Sequence, residues 1–69
     1  MTTTTDEVRR AVKEARQAID AGETARGLEL LRVVAHGPQS MDSNMRYWEC
    51  VGALNRAGVS NREIFEAVK

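Results

Sequence analysis

Glycine and proline interrupt the sequence at three places and divide it into four segments. The breaks lie at Gly22, at the Gly37-Pro38 pair and at Gly58, and each contains a residue type that ends helices. Between them, apolar residues recur at steps of three and four, the period of a helix with one buried face. The pattern therefore predicts an all-α fold with helices over about residues 5–21, 24–36, 42–57 and 60–68.

The length of the chain limits it to one domain. Sixty-nine residues, 42% of them hydrophobic, are expected to form a single core over residues 1–69, in a compact four-helix domain of two antiparallel helical hairpins. The last helix is short. Cys50 is the only cysteine, which excludes an internal disulfide. Because a domain of this size buries only about 60% of its unfolded surface, we expect it to associate with itself, as a homodimer, or with a larger protein.

Charge is balanced along the whole chain. Ten basic and ten acidic residues cancel, and residues 1–21, 22–40 and 41–69 each carry the two signs in equal number. This balance argues against nucleic acid or a membrane as the partner, since both attract an excess of basic residues. No apolar run reaches the roughly 18 residues of a membrane helix and no secretion signal is recognisable, which predicts a cytoplasmic protein. Eight arginines against two lysines indicate a high-GC bacterium or one of its phages or mobile elements.

Capping residues mark two helix starts. Thr4 with Glu7 three residues later fits the start of the first helix, and Thr5 followed by two acidic residues is the alternative. Ser60 and Glu63 have the spacing of a capping box, in which Ser60 caps the helix and Glu63 reaches back to it. These signals place the beginnings of the first and last helices.

The first two helices differ in how much apolar surface they carry. The first has a single apolar face, formed by Val8, Ala11, Val12, Ala15, Ala18 and Ile19. The second, which includes Leu28, Leu30, Leu31, Val33 and Val34, has a wider one. We therefore expect the second helix to be the central and most buried element, with the third packed across it. Gly37 suits the left-handed conformation that often follows a helix end.

The third predicted helix carries two apolar strips. At about 100° per residue, one strip contains Met41, Met45, Trp48 and Gly52, which we call the Met–Trp strip. The other, the Tyr–Leu strip, contains Tyr47, Cys50, Val51 and Leu54. Together they cover roughly 200° or more of the helix circumference, which is more than one neighbouring helix can bury.

This excess of apolar surface has two interpretations. Both strips can belong to the core. Alternatively, one of them stays exposed and forms a protein-binding site, for which adaptable Met side chains beside Trp or Tyr are well suited. On the second interpretation the candidate interaction residues are Met41, Met45, Tyr47 and Trp48.

Residues that could carry catalysis or bind a metal are few. His36 and Cys50 are of the types that form a base and nucleophile pair, but no orienting group or oxyanion turn accompanies them. Cys50 has apolar neighbours, as core cysteines do, and His36 fits the end of a helix. No second His or Cys follows at metal-ligand spacing, and there is no Gly-rich phosphate loop. The sequence thus predicts a protein that is not an enzyme and has no cofactor, no metal and no catalytic residue.

Two resemblances bear on function. Residues 21–31 resemble the turn and second helix of a tetratricopeptide repeat, and a second copy is indicated by Trp48, Val51, Gly52 and the turn at Gly58. The two turn glycines are 36 residues apart, near the repeat's period of about 34. This resemblance implies helical hairpins that bind a peptide or protein. Residues 54–64 are instead similar to the first part of a bacterial helix-turn-helix, although the recognition helix is missing.

From these patterns we expect a small non-enzymatic interaction module, an adaptor or an inhibitor of a larger protein, that docks through an apolar face of the third helix. The alternative is a small DNA-binding regulator similar to helix-turn-helix proteins. It would use the last two helices and be completed by dimerisation. Separately, the first helix carries basic residues of the kind that contact phosphate, but acidic residues interleaved among them weaken such a field. The basic residues are Arg9, Arg10, Lys13 and Arg16, and the acidic ones are Asp6, Glu7, Glu14 and Asp20.

Overall fold

A computed structural model describes residues 3–69 and contains four helices: α1 (Thr5–Asp20), α2 (Thr24–His36), α3 (Met41–Arg56) and α4 (Asn61–Val68). There is no strand in this part of the chain, which confirms the predicted all-α class. Each helix begins and ends within one residue of its predicted bounds. None of the helices over residues 3–69 is both long and apolar enough to cross a membrane.

The turns that follow α1 and α3 have the same backbone conformation. After α1, Gly22 has φ of 84°, its N–H donates to Ile19 O, and Glu23 N–H donates to Ala18 O at 2.8 Å. After α3, Gly58 has φ of 95°, its N–H donates to Asn55 O, and Val59 N–H donates to Leu54 O at 2.9 Å. Both turns are Schellman motifs, in which glycine takes the left-handed conformation that other residues adopt only at a cost. Each turn reverses the chain and starts the next helix.

Burial is greatest in α1, and the prediction that α2 would be the most buried helix was wrong. All six residues of the α1 apolar face are buried, whereas α2 buries only Gly27, Leu31 and Val34. Val33 of α2 is 40% exposed, because the helices that pack on α2 do not surround it. An apolar surface wider than its neighbours can cover thus remains partly in solvent.

The arrangement of the third helix also differs from the prediction. Instead of packing across α2, α3 lies mainly against α1 and contacts α2 less, while α4 packs chiefly on α2. The helices enclose one core, whose largest fully buried side chains include Leu31 of α2, Leu54 of α3 and Ile64 of α4. Met41, Met45 and Trp48 of α3 stay exposed, so no helix within residues 3–69 covers that side of α3.

Two predicted local features take a different form. Gly37 has φ of −95° and ψ of −179°, so it is extended and not left-handed. What requires glycine there is space, because a Cβ would collide with Cγ2 of Val8. At the start of α4, Ser60 Oγ accepts from Glu63 N–H at 3.2 Å, as predicted, but the Glu63 carboxylate accepts from the Ser60 hydroxyl instead of the backbone N–H.

A candidate protein interface on the third helix

The structure separates the two apolar strips of α3. The Tyr–Leu strip faces inward, with Cys50, Val51 and Leu54 buried and Tyr47 half-buried against the core. The Met–Trp strip faces outward, with Met41 82% exposed, Met45 60% and Trp48 52%. Of the four predicted interaction residues, Met41, Met45 and Trp48 therefore share one solvent-facing surface, whereas Tyr47 belongs mostly to the interior.

The start of α3 fixes this orientation. Ser40 Oγ accepts from Ser43 N–H, and Ser43 Oγ accepts in return from Ser40 N–H, each at 3.2 Å. This reciprocal pair is a capping box with serine in both positions. Ser43 is buried, and its hydroxyl also has hydrogen-bonding partners on Ser40. Because Ser43 lies on the inward face, Met41 and Met45 are turned to the opposite side.

Aromatic contacts hold Trp48 in place on the surface. Its indole packs edge-on against Tyr47, with ring centroids 5.4 Å apart and planes at 90°. On its other side it packs against Phe65 of α4, at 6.5 Å and 78°. Both geometries are the edge-to-face arrangement that aromatic rings prefer. An exposed Trp with fixed neighbours loses little side-chain freedom when another surface covers it.

Phe65 extends the exposed surface onto α4, although the sequence pattern predicts that Ile64, Phe65 and Val68 together make the apolar contacts of the last helix. It is 44% exposed, while its neighbour Ile64 is fully buried. Consecutive helical residues point about 100° apart, and on α4 the inward direction belongs to Ile64. Consecutive pairs on α1 and α3 are buried together, so the sequence pattern alone does not decide whether Phe65 is buried with Ile64.

A shallow groove of about 540 Å³ lies along the outward side of α3. Met45, Trp48 and Gly52 line it, and its polar lining comes from Arg16, Asn44, Glu49 and Arg56. Apolar residues bordered by polar ones are the usual composition of a protein interface, where the outer residues exclude water from the centre.

Gly52 is the one glycine in the described chain at which neither the backbone conformation nor a close neighbour requires glycine. Gly22 and Gly58 need positive φ, and Gly27 and Gly37 are closely approached by other side chains. A Cβ on Gly52 would meet only Arg56 Nη1, at an ordinary 3.7 Å. Glycine inside a helix costs about 1 kcal/mol relative to alanine. The fold therefore bears a cost at Gly52 that no contact within residues 3–69 requires.

The charges around the groove are mixed in sign. Arg16 pairs with Asp20 at 3.2 Å and Arg46 pairs with Asp42 at 3.3 Å, both within single helices and partly exposed. Such pairs contribute only a few tenths of a kcal/mol. Arg56 makes no ion pair with any of the carboxylates in residues 3–69. The borders of the groove thus carry no strong field of one sign.

Cys50 and His36 each have a local structural partner. Cys50 is buried and its Sγ–H donates to Val12 O at 3.8 Å. Burial raises the pKa of this thiol, against a smaller lowering by Arg16, so Cys50 stays protonated and is a poor nucleophile at neutral pH. His36 Nε2 lies 2.7 Å from Val68 O. Because a carbonyl only accepts, Nε2 is the donor, and the bond joins the ends of α2 and α4.

The part of the chain that the structure describes has no metal site, and no relative is found. Within the described chain, no group of three or more His, Cys, Asp or Glu residues is placed to hold a metal ion. The sequence and the structure match no family model, no curated protein and no solved structure.

Proposed function

We propose that this protein is a non-enzymatic interaction module that docks on another protein chain through the Met–Trp strip of α3, with Phe65 of α4 beside it. The observation that carries the proposal is the joint exposure of Met41, Met45 and Trp48 on a helix whose opposite apolar strip already supplies the core. An adaptor or an inhibitor of a larger protein would use such a surface.

The size of the surface supports this role. With about 200 Å² or more for each large side chain, the exposed fractions of Met41, Met45, Trp48 and Phe65 leave about 500 Å² of apolar residue surface in solvent. The largest apolar patch on a typical monomer has about 300–600 Å² and is often functional, and this surface lies within that range. Scattered single residues would need no explanation, but these four are linked through contacts or helical spacing.

The chemistry of the residues supports the same role. Met side chains are flexible and polarizable, and they adapt to different partner shapes. Trp is among the residues most enriched where truncation costs an interface the most. Trp48 lies about one helical turn after Met45 and contacts the ring of Phe65, so a partner helix or loop would cover an anchor that has apolar neighbours on two helices.

Other features give weaker support. The resemblance to tetratricopeptide hairpins favours protein binding, and we propose a cytoplasmic location in a high-GC bacterium or its phage on the sequence features alone. For DNA binding, the positive charge of α1 is partly neutralised within the described residues, since Arg9 pairs with Asp6 and Arg16 with Asp20. The proposal therefore has no enzyme, cofactor or nucleic-acid component.

Site-specific photocrosslinking tests the proposal. A diazirine amino acid replaces Met45 in one bait and Val33 in a matched control, since Val33 is also exposed but lies on α2. In an extract of the source cell, we expect position 45 to crosslink one or a few defined proteins and position 33 not to. The crosslinks should disappear when Trp48→Lys is added. Equal labelling from both positions, or products that survive Trp48→Lys, would refute docking through this strip.

A further inference from the structure

The Met–Trp strip has a projection at one end and a depression at the other. Met41, at the first turn of α3, is the most exposed of the large apolar side chains in the described chain. Gly52, eleven residues later on the same strip, has no side chain and only an arginine tip near its open face. At 1.5 Å per residue, the two are about 16 Å apart. Met45 and Trp48 lie between them.

We propose that the strip pairs with the strip of a second copy of this chain, antiparallel across a two-fold axis, so that Met41 of each copy packs on Gly52 of the other. The inference rests on the proposed function and names its partner. An axis midway along the strip places Met41 on Gly52 and Met45 on Trp48 at the same time. The steps of four, three and four residues along the strip are those of a coiled-coil seam, which one partner helix can follow throughout.

The opposite orientation fits poorly. A parallel pairing would place Met41 against Met41 and Gly52 against Gly52, which crowds one end and leaves a void at the other. Voids and crowding both weaken packing. The antiparallel pairing also gives a reason for glycine at position 52. Because Gly52 has no side chain, it makes room for Met41 of the second copy.

Charge permits this association. The formal net charge is zero, so two copies do not repel each other at long range. The charged residues beside the strip include both Glu49 and Arg56, which gives no border of one sign. An isologous contact of this kind is the commonest form of protein self-association.

The area sets the expected strength. About 500 Å² of apolar surface on each copy, with the polar border added, approaches the ~800 Å² per partner of standard stable interfaces. We therefore expect a dimer that dissociates in the micromolar range. Sedimentation equilibrium from micromolar to near-millimolar concentration should show a monomer–dimer equilibrium for the wild-type chain. A single monomer at every concentration would overturn the proposal.

Disulfide trapping tests the orientation. Chains carrying Met41→Cys and Gly52→Cys are mixed and oxidised, and buried Cys50 is kept, with the wild-type chain as its control. The antiparallel pairing predicts a mixed 41–52 disulfide well above the products of either variant alone. Predominant 41–41 or 52–52 products, or a yield no higher than that of Val33→Cys, would contradict the proposed pairing.

A second variant separates fit from folding. A Cβ at Gly52 would meet only Arg56 Nη1, at 3.7 Å, and leucine favours helices, so Gly52→Leu should fold with wild-type helicity but dissociate at least tenfold more readily. Unchanged dimerisation would contradict the seating of Met41 on Gly52. If the wild-type chain stays monomeric while position 45 still crosslinks a different protein, this inference fails and the proposed function stands. If neither is observed, both fail.

Discussion

The indole of Trp48 meets the ring of Phe65 edge-on, with centroids 6.5 Å apart and planes at 78°, and this contact joins the surfaces of α3 and α4. Both side chains are about half exposed. The pair therefore links two helices and at the same time presents aromatic surface to solvent. The contribution of this pair to stability and its part in the proposed docking can be measured separately.

A double-mutant cycle tests the contact between these two rings. Trp48→Ala and Phe65→Ala should each lower the free energy of unfolding, and the double variant should lose less than the sum of the two. Edge-to-face pairs are worth about 0.5–1.5 kcal/mol, and partial exposure places this one at the lower end. Urea unfolding of the four proteins gives the coupling. Strict additivity would mean that the rings do not interact in solution.

Removing Trp48 should matter less for folding than removing a core residue. Leu54 on the other strip is fully buried, so Leu54→Ala should cost about 3 kcal/mol, the usual penalty for emptying a buried leucine site. We expect Trp48→Ala to cost about 1 kcal/mol, roughly half of what burying a whole large apolar side chain contributes, since half of the side chain is already in solvent. Thermal unfolding followed by circular dichroism compares them. If Trp48→Ala lowered the free energy of unfolding more than Leu54→Ala does, the Met–Trp strip would belong to the core.

Two helical glycines should respond oppositely to alanine. At Gly52 the added methyl group has room, so Gly52→Ala should stabilise the dilute monomer by about 0.5–1 kcal/mol, the difference in helix propensity. At Gly27 the Cβ would lie 2.6 Å from Cγ1 of Ile19, so Gly27→Ala should destabilise the protein. The melting temperatures of both variants check this. If Gly52→Ala were destabilising, the monomer would contain a contact at Gly52 that the structure lacks.

Alkaline pH should weaken the fold through Cys50. Burial raises the pKa of the Cys50 thiol above its ordinary 9.0, so the unfolded chain ionises first. The protonated Cys50 thiol contributes fully to the free energy of unfolding below the pKa of the unfolded chain. This contribution is lost as the pH rises from there through the pKa of the folded protein. Tyr47, whose pKa burial raises above 10.0, acts in the same direction at higher pH.

The matched comparison for this prediction is Cys50→Ala. The free energy of unfolding should decline between neutral pH and about pH 10, and Cys50→Ala should make that decline shallower, although the variant is less stable at neutral pH. Urea unfolding at both pH values provides the test. An identical pH dependence in the two proteins would show that Cys50 is not desolvated as its burial implies.

The helix bounds could be predicted because they depend on local signals. Ser60 and the turn glycines Gly22 and Gly58 act within one or two turns of their own positions, and the sequence displays them directly. Which strip of α3 faces solvent depends instead on where α1 and α4 lie, and that is set by contacts distant in sequence. The same dependence explains why Val33 was expected in the core.

The candidate site was predictable only in part. Helical spacing identifies Met41, Met45 and Trp48 as one strip, but it leaves open which strip of α3 is exposed, so Tyr47 of the inward strip is predicted together with them. Phe65 was missed because its exposure depends on how α4 packs on α2. Only the structure shows that neither backbone conformation nor a close neighbour requires glycine at position 52, because this depends on what surrounds each glycine.

Fluorescence of Trp48, the only tryptophan in the chain, tests most directly whether the Met–Trp strip is a contact surface that is open in a single copy. In dilute solution we expect acrylamide to quench it efficiently, and raising the protein concentration should protect it in the wild-type chain but not in Met45→Lys. Strong protection at the lowest concentration in both proteins would place Trp48 inside the monomer and contradict the account.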